Sequence, residues 1–465
     1  MKKANNFIIA LFMIPLFFLA TLNLFWPDQM RSSEENRNLS RWPSLSSQAL
    51  FSGKYFMDIE TYFSDQFPFR QLFVNTHQKA INLLKSPFRG DISMVLRPGG
   101  DLGVGERLEP DPSDILIIPS HTSPETTAPT ETIPTVETSA TEEPLLTAGP
   151  SAEPTPMPAT QPEVTAPPVE GKVITYSAVI ILNDRAMELF SFTPSSAGRY
   201  IETVGKLKDK LPDRRVMTMI APTSVEFYSP DKYHSGSSSQ KNAIASIYGS
   251  MPDSIIKIDA YGKIISRVQD YLYFRTDHHW TARGAYHAYT AFCESAGLDA
   301  VPMEAMASGF IDGGFVGTFY RYTKSEIMKN NPDRVEYFMP IVASQGIAYS
   351  SASMSEGHRI RAVFPQISSS NKYLAFIGGD NPLAHFKTDL SNGRSIVVLK
   401  ESFGNAFVPF LTNHYENVYV IDPRSLTIDL PKFIRDKNIH DILILNYSFS
   451  VSSSNWVDGF ANMIK

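Results

Sequence analysis

Cysteine is all but missing from this chain: Cys293 is the only one in 465 residues. That excludes a disulfide framework and any cysteine-built zinc site. With nothing electropositive beside it in sequence, Cys293 reads as a buried small hydrophobe rather than a nucleophile. A dense basic patch with interleaved aromatics is missing too, so nucleic acid is not an expected partner. Residues 108–170 contain no Lys or Arg against 11 Asp/Glu. Without that stretch 42 basic residues face 37 acidic ones, so the net charge of −6 belongs to the stretch and not to the rest. The same stretch holds 14 Pro and shows neither a helical nor a strand period. It cannot bury enough apolar surface to offset its ordering entropy, and a disordered linker is expected.

What is present begins with a long apolar run, Phe7–Phe25, preceded by Lys2 and Lys3 and closed by Trp26-Pro27. At 1.5 Å per residue a helix over it spans about 28 Å, close to the hydrocarbon thickness of a bilayer. The positive flank belongs inside, which sends everything after Trp26 outward. No A-x-A-like cleavage site follows, so the run reads as an uncleaved signal anchor. The expected location is the cell membrane, single-pass, with the main domain facing outside the cytoplasm.

Four segments follow from composition and period: the anchor and membrane-proximal residues 1–31, N-terminal helices in 32–107, the linker 108–170, and the main domain 171–465. Between Ser46 and Phe73, Leu50, Phe51, Tyr55, Phe56, Ile59, Tyr62, Phe63 and Phe67 recur at three- and four-residue steps, an amphipathic helical pattern. A second helical pattern covers Arg70–Leu84. Beyond Gly171, strand-like runs appear at Val173–Leu182, Val216–Ala221, Ile255–Ile258, Tyr271–Phe274, Leu374–Ile377, Ile396–Leu399, Val418–Ile421 and Ile442–Leu445. Helical patterns at Ser195–Leu207, Ser239–Tyr248, Ala282–Ala296, Ala406–His414 and Leu430–Lys437 lie between several of them. Short all-apolar strands followed by helices predict an α/β domain with a mostly parallel sheet covered on both faces. The linker then interrupts this one domain after its first helices.

The densest polar cluster, Arg275-Thr276-Asp277-His278-His279-Trp280-Thr281, follows the run Tyr271–Phe274. In an extended segment Asp277 and His279 share a face and His278 points away. A carboxylate beside an imidazole fixes its tautomer and stabilises its protonated form. Taken alone, the pair could equally be a structural hydrogen bond in a loop. Adjacent histidines diverge in an extended chain, so no metal site is expected there. Ser402 ends the apolar strand Ile396–Leu399 and precedes a helix, a turn that exposes a hydroxyl beside backbone N–H groups; it could also simply cap that helix. Gly404 and Asn405 after it, Gly379 and Asn381 in Gly378-Gly379-Asp380-Asn381, and Arg275 are candidates for holding an oxyanion or substrate. No cofactor is called for.

Asp277-His278-His279-Trp280 resembles the motif that names the bacterial DHHW protein family. Glu34-Glu35-Asn36-Arg37 with Leu39 and Pro43, the segment Asp65–Arg70, and Lys400-Glu401-Ser402-Phe403 with Val408-Pro409-Phe410 are similar to that family as well. The resemblance covers about residues 32–107 and 171–465. The family is similar to SGNH-hydrolase-like proteins that O-acetylate alginate and other exported polysaccharides on a three-layer α/β/α sandwich. It implies Asp277 as orienting acid, His279 as base and Ser402 as nucleophile, although Lys400-Glu401-Ser402 stands where SGNH sequences commonly carry Gly-Asp-Ser. It further implies a cell-surface polysaccharide as substrate and a multi-pass membrane acyltransferase as partner. The expected function is thus an anchored esterase or O-acetyltransferase. The alternative is a non-catalytic glycan-binding or assembly factor on the same fold.

Overall fold

The structure, a computed structural model, describes residues 171–465 except 172 and 177, together with 21–22, 27–29, 31–32, 37–45, 50, 54–68, 107–108 and 115–117. The helical pattern Arg70–Leu84, the motif at Glu34–Asn36, nearly all of the apolar run Phe7–Phe25 and nearly all of the linker lie outside the described residues. Among the described residues no helix is long and apolar enough to cross a membrane. Within the first amphipathic pattern a helix runs over Lys54–Asp65. Just past it, Gln66 accepts from Gln29 N and donates to Gln29 O and Ser40 O, while Asp65 accepts from Ser40 N.

The centre of the molecule is a nine-stranded sheet. In chain order its strands are β1 (Ile115–Ile117), β2 (Arg215–Ala221), β3 (Ile256–Ile258), β4 (Ser344–Tyr349), β5 (Glu356–Ile360), β6 (Leu383–Thr388), β7 (Ser395–Lys400), β8 (Asn417–Ile421) and β9 (Asp441–Tyr447). Their spatial order is β1-β5-β4-β6-β8-β7-β9-β2-β3. The five strands from β8 to β3 are parallel. The other four pairings are antiparallel. The sheet is therefore mixed, not mostly parallel. β4, β5 and β6 carry Gly346, Gly357, His358, Arg359 and Lys387 and lack the continuous apolar runs that mark buried parallel strands.

Alternate residues of the parallel strands point into two cores. Met217, Met219, Ile396, Val398, Val418, Val420, Leu443 and Leu445 join one. Val216, Ile220, Val397, Leu399, Ile421, Ile442 and Ile444 join the other. Helices α3 (Ala282–Ala296) and α4 (Gly404–Leu411) cover the first face. Helices α1 (Pro194–Lys210), α2 (Gln240–Gly249), α5 (Leu430–Asp436) and α6 (Ser454–Ala461) cover the second. α1 starts on a proline whose fixed φ suits a first turn and buries Ala197, Tyr200, Val204 and Leu207 at helical spacing.

Two expected strands are not strands. Leu374 and Ala375 belong to a 3-10 turn over Lys372–Ala375, and Phe376 makes one isolated bridge, to Val363. Tyr271–Phe274 contributes one antiparallel bridge, Tyr273 to Trp280, that closes a tight bend over residues 275–279. Val173–Leu182 is a hairpin, and with Arg185–Glu188 it forms a separate three-stranded antiparallel sheet. Cys293 is buried and its thiol is pushed up to about 12 by that burial.

The bend is pressed against α3. Thr281 caps that helix by accepting from Gly284 N at 3.2 Å. A Cβ on Gly284 would lie 2.3 Å from Leu272 O, a backbone atom with no room to move. Gly284→Ala is expected to cost about 1–3 kcal/mol through overpacking, read as a lower urea midpoint. An unchanged midpoint would show that α3 and the bend are not in the contact described.

Candidate active site

The site lies at the C-terminal edge of the parallel strands, where ligand crevices form in sheets of this kind. β7 ends at Lys400 and the chain turns through Ser402 into α4. His279 lies against that turn. Its Nε2 is 2.7 Å from Ser402 Oγ, and its Nδ1 is 2.5 Å from Asp277 Oδ1. Asp277 is buried, and burial by itself would raise its pKa. The His279 and His278 rings, with the hydrogen bonds from His279 and the Thr318 N–H, outweigh burial and hold the carboxyl well below the usual carboxylate range. An ionised carboxylate only accepts, so His279 Nδ1 carries the proton and donates it, leaving Nε2 to accept from the Ser402 hydroxyl.

Four donors hold Asp277. His279 N and Nδ1 reach Oδ1; Thr318 N and Oγ1 reach Oδ2 at 2.8 and 2.9 Å. Gly317 precedes Thr318 because a Cβ there would sit 2.3 Å from Asp277 Cβ. The bend itself hangs on the fully buried Asp333, which accepts from Thr276 N and Oγ1 and from Arg275 N. Trp280 donates its indole N–H to Phe403 O at 2.8 Å, tying the motif to the turn that follows Ser402. Gly317, Thr318 and Asp333 carried no sequence signal, because each acts across roughly 40 to 60 intervening residues.

His278 does not point away as an extended chain would have it. The segment bends, and the His278 and His279 rings lie 3.8 Å apart at 37°. On its other face His279 stacks on Tyr373 at 4.0 Å and 14°, and the Tyr373 hydroxyl donates to Ser402 O. A ring face beside an imidazole favours its protonated form. Burial first, then the neighbouring His279, lowers His278 to about 3, so it adds no charge beside His279.

Among the described residues, Asp277, His278 and His279 are the group that could offer metal-ligating atoms, with one atom from each lying within 4.8 Å of the others. Their nearest partners are protein atoms: Thr318 Oγ1 for His278 Nδ1, Ser402 and Asp277 for His279. A metal ion there would have to displace the hydrogen bonds that align His279 with Ser402.

The other sequence candidates are occupied elsewhere. Phe403 N donates to Glu401 Oε2, Gly404 N to Glu401 O, and Asn405 N to Ser402 O. Asn405 Nδ2 donates to Asp380 while its Oδ1 accepts from Lys400 Nζ. Arg275 braces the bend through Asp184, Asp333 and Pro332 O and does not reach the serine turn with any of these bonds. Gly379 N donates to Phe376 O; Asn381 donates to Ile377 O and leaves Oδ1, an acceptor, as a buried atom without a partner. The backbone N–H groups of Phe403, Gly404, Asn405 and Gly379, as placed, are all taken and leave none for an oxyanion.

Beneath the turn runs a buried ion network. Lys400 meets Asp380 at 2.8 Å, Asp380 meets Arg424 at 2.7 Å, and Arg424 meets Asp422 at 2.7 Å. Glu401, also buried, accepts from Phe403 N and from Tyr447 N at the end of β9. Lys400 and Glu401 are therefore the two residues that fix the serine turn to the sheet. Gly404 lets α4 pass close over Lys400, since a Cβ there would meet Lys400 Cβ at 2.7 Å.

The profile of the family described as DHHW protein matches residues 165–421, more than half of the chain. The chain belongs to the DHHW protein family. A DHHW family protein from Eubacterium siraeum DSM 15702 is 29% identical, with TM-score 0.58 over 64% of this chain and 99% of that one. Bacillus cereus PatB1 is 17% identical, with TM-score 0.50 over 62% of this chain and 99% of that one. A structure of Bacillus cereus PatB1 with a sulfonyl adduct gives 16%, 0.51, 64% and 100%. The PatB1 likeness is one of fold. No curated protein matches the chain.

The neutral His278 of this DHHW chain has a consequence for stability. Its folded pKa of about 3 lies below the ordinary 6.5. As pH falls from about 6.5, the unfolded chain takes up a proton that the folded chain refuses, so stability is lost between about 6.5 and 3. The slope approaches ~1.4 kcal/mol per pH unit for this one group. His278→Asn, which retains a donor toward Thr318, is expected to flatten the fall of the urea midpoint between pH 6 and 4. An equally steep fall in the variant would refute that assignment.

Proposed function

We propose that the chain is a membrane-anchored, extracytoplasmic esterase or O-acetyltransferase of SGNH-like type that acts on a cell-surface polysaccharide. The observation that carries this reading is the unbroken line Asp277–His279–Ser402, with its proton positions set by the ionised carboxylate. In the proposed mechanism His279 Nε2 removes the Ser402 proton as Oγ attacks the acyl carbonyl of a donor. The imidazolium, facing Asp277 and the ring of Tyr373, then returns the proton to the leaving group. Water or a sugar hydroxyl takes the acyl group from Ser402 by the same steps reversed. Family membership and the fold shared with PatB1 support the reading. The apolar run at Phe7–Phe25 supports the anchor, and a multi-pass membrane acyltransferase is the proposed donor partner.

One observation favours a second reading. The backbone N–H groups just after Ser402 are spent on Glu401 and Ser402, so no oxyanion hole built from those groups is assembled at the turn. A non-catalytic glycan-binding or assembly factor would tolerate that.

Turnover of p-nitrophenyl acetate by the full chain separates the two. Ser402→Ala is expected to lower kcat/KM by about 10³-fold or more, and Asp277→Asn by about 10²–10⁴-fold through loss of the correct His279 tautomer. Phenylmethylsulfonyl fluoride is expected to label Ser402 in a reaction that requires His279. Equal hydrolysis by wild type and Ser402→Ala, with no labelling, would sink the catalytic reading and leave the binding one.

A further inference from the structure

His278 is the one member of Asp277-His278-His279-Trp280 to which the proposed chemistry assigns no task. Its Nδ1 lies 2.7 Å from Thr318 Oγ1. The single hydroxyl proton of Thr318 goes to the Asp277 carboxylate, at 2.9 Å, because that group only accepts. Nδ1 of His278 must therefore carry a proton and donate it to Thr318. The ring is neutral, so its other nitrogen, Nε2, is a bare lone pair. No described residue hydrogen-bonds that atom, yet it is not one of the sealed, partnerless atoms of the interior. The side chain keeps a narrow opening to solvent, 9% exposed.

Where Nε2 points follows from the stacking. Both histidines turn their Nδ1 atoms toward the same oxygen, Asp277 Oδ1, at 2.5 Å from His279 and 3.9 Å from His278. In an imidazole Nε2 lies across the ring from Nδ1. The rings lie 3.8 Å apart, tilted by 37°, and His278 Nδ1 is held by Thr318, which itself bonds Asp277, so Nε2 lies on the far side of its ring from that bond. That of His279 meets Ser402. Two neighbouring rings thus each turn a nitrogen away from Asp277, one held on the nucleophile and one without a hydrogen-bond partner among the described residues.

We propose that His278 Nε2 recognises the alcohol that receives the acyl group, by accepting a hydrogen bond from its second hydroxyl, so that the site selects acceptors carrying two neighbouring hydroxyls, as a sugar ring does. This rests on reading Ser402 as the acyl carrier. In the transfer step the attacking hydroxyl gives its only proton to His279 Nε2 while its oxygen bonds to the acyl carbon. The bond from that carbon to Ser402 Oγ breaks, and Oγ recovers the proton from His279. The attacking hydroxyl has no proton left to offer His278, which is why a second hydroxyl is required.

The test uses the full chain in detergent, p-nitrophenyl acetate as donor, and two alcohols of similar size, ethane-1,2-diol and 2-methoxyethanol. The readout is the ratio of acetyl transfer to hydrolysis, a property of the acyl-enzyme that does not depend on how fast it forms. Wild type is expected to favour the diol about 10-fold, beyond the factor of two from its two ends, as one directed hydrogen bond would give. His278→Asn keeps a donor for Thr318 and removes the outer nitrogen, and its preference is expected to vanish. His278→Gln, which can place an acceptor near the lost nitrogen, is expected to recover part of it. No preference in wild type, or a preference that survives in His278→Asn, overturns the proposal. Absence of any acyl group on Ser402 before alcohol is added shows instead that the underlying reading has failed.

Discussion

An ionised carboxylate shut away from water has to be supplied with donors, and the supply for Asp277 organises this face of the molecule. Burial disfavours its charge; two backbone N–H groups, one hydroxyl and one imidazole restore it. The donors come from two separate stretches of chain, the bend at residues 275–279 and the start of the helix at Thr318. Both must be in place before His279 has a defined tautomer. Asp333 holds the bend, Gly317 makes room for the carboxylate, and Trp280 fastens the assembly to the turn of Ser402. The motif Asp277-His278-His279-Trp280 thus acts as one unit: carboxylate, packed second imidazole, aligned imidazole and anchor.

The turn below it is held by charge of its own. Lys400, Asp380, Arg424 and Asp422 form an alternating buried network with no net charge, and Glu401 ties Phe403 to the end of β9. This chain uses Lys400-Glu401 to brace the serine turn from beneath. The segment that delivers Asp380 includes Ile377, a β-branched residue at φ 49, followed by Gly378 and Gly379 at φ 73 and 90. Such a conformation at Ile377 costs of order 1–3 kcal/mol. Asn381, through its bond to Ile377 O, and the ion network around Asp380 hold the segment in it.

The parallel half of the sheet was legible because β2, β7, β8 and β9 are apolar on both faces and give unbroken runs. The antiparallel half was not. β5 is partly exposed on both sides and β6 on one, and their His, Arg and Lys residues dilute the signal to that of a loop. Tyr271–Phe274 looked like a strand because a buried aromatic run reads the same whether it pairs along a ladder or at one bridge. Nearness of His278 to His279 was hidden for a related reason. A period of two assumes an extended chain, and the Asp333 carboxylate bends this one.

By itself the sequence determined which residue types could meet: an acid two places before an imidazole, a serine at the end of an all-apolar strand, and tryptophan beside them. Those follow from local spacing and from the burial that apolar runs demand. Only the tertiary structure decided that Ser402 Oγ lies 2.7 Å from His279 Nε2 across 123 residues. The same holds for the redirection of Arg275, Asn405 and the N–H groups after Ser402 into bracing. Hydrogen bonds are directional and short, so which donor is free depends on where every competing acceptor finally sits, and no pattern along one chain records that.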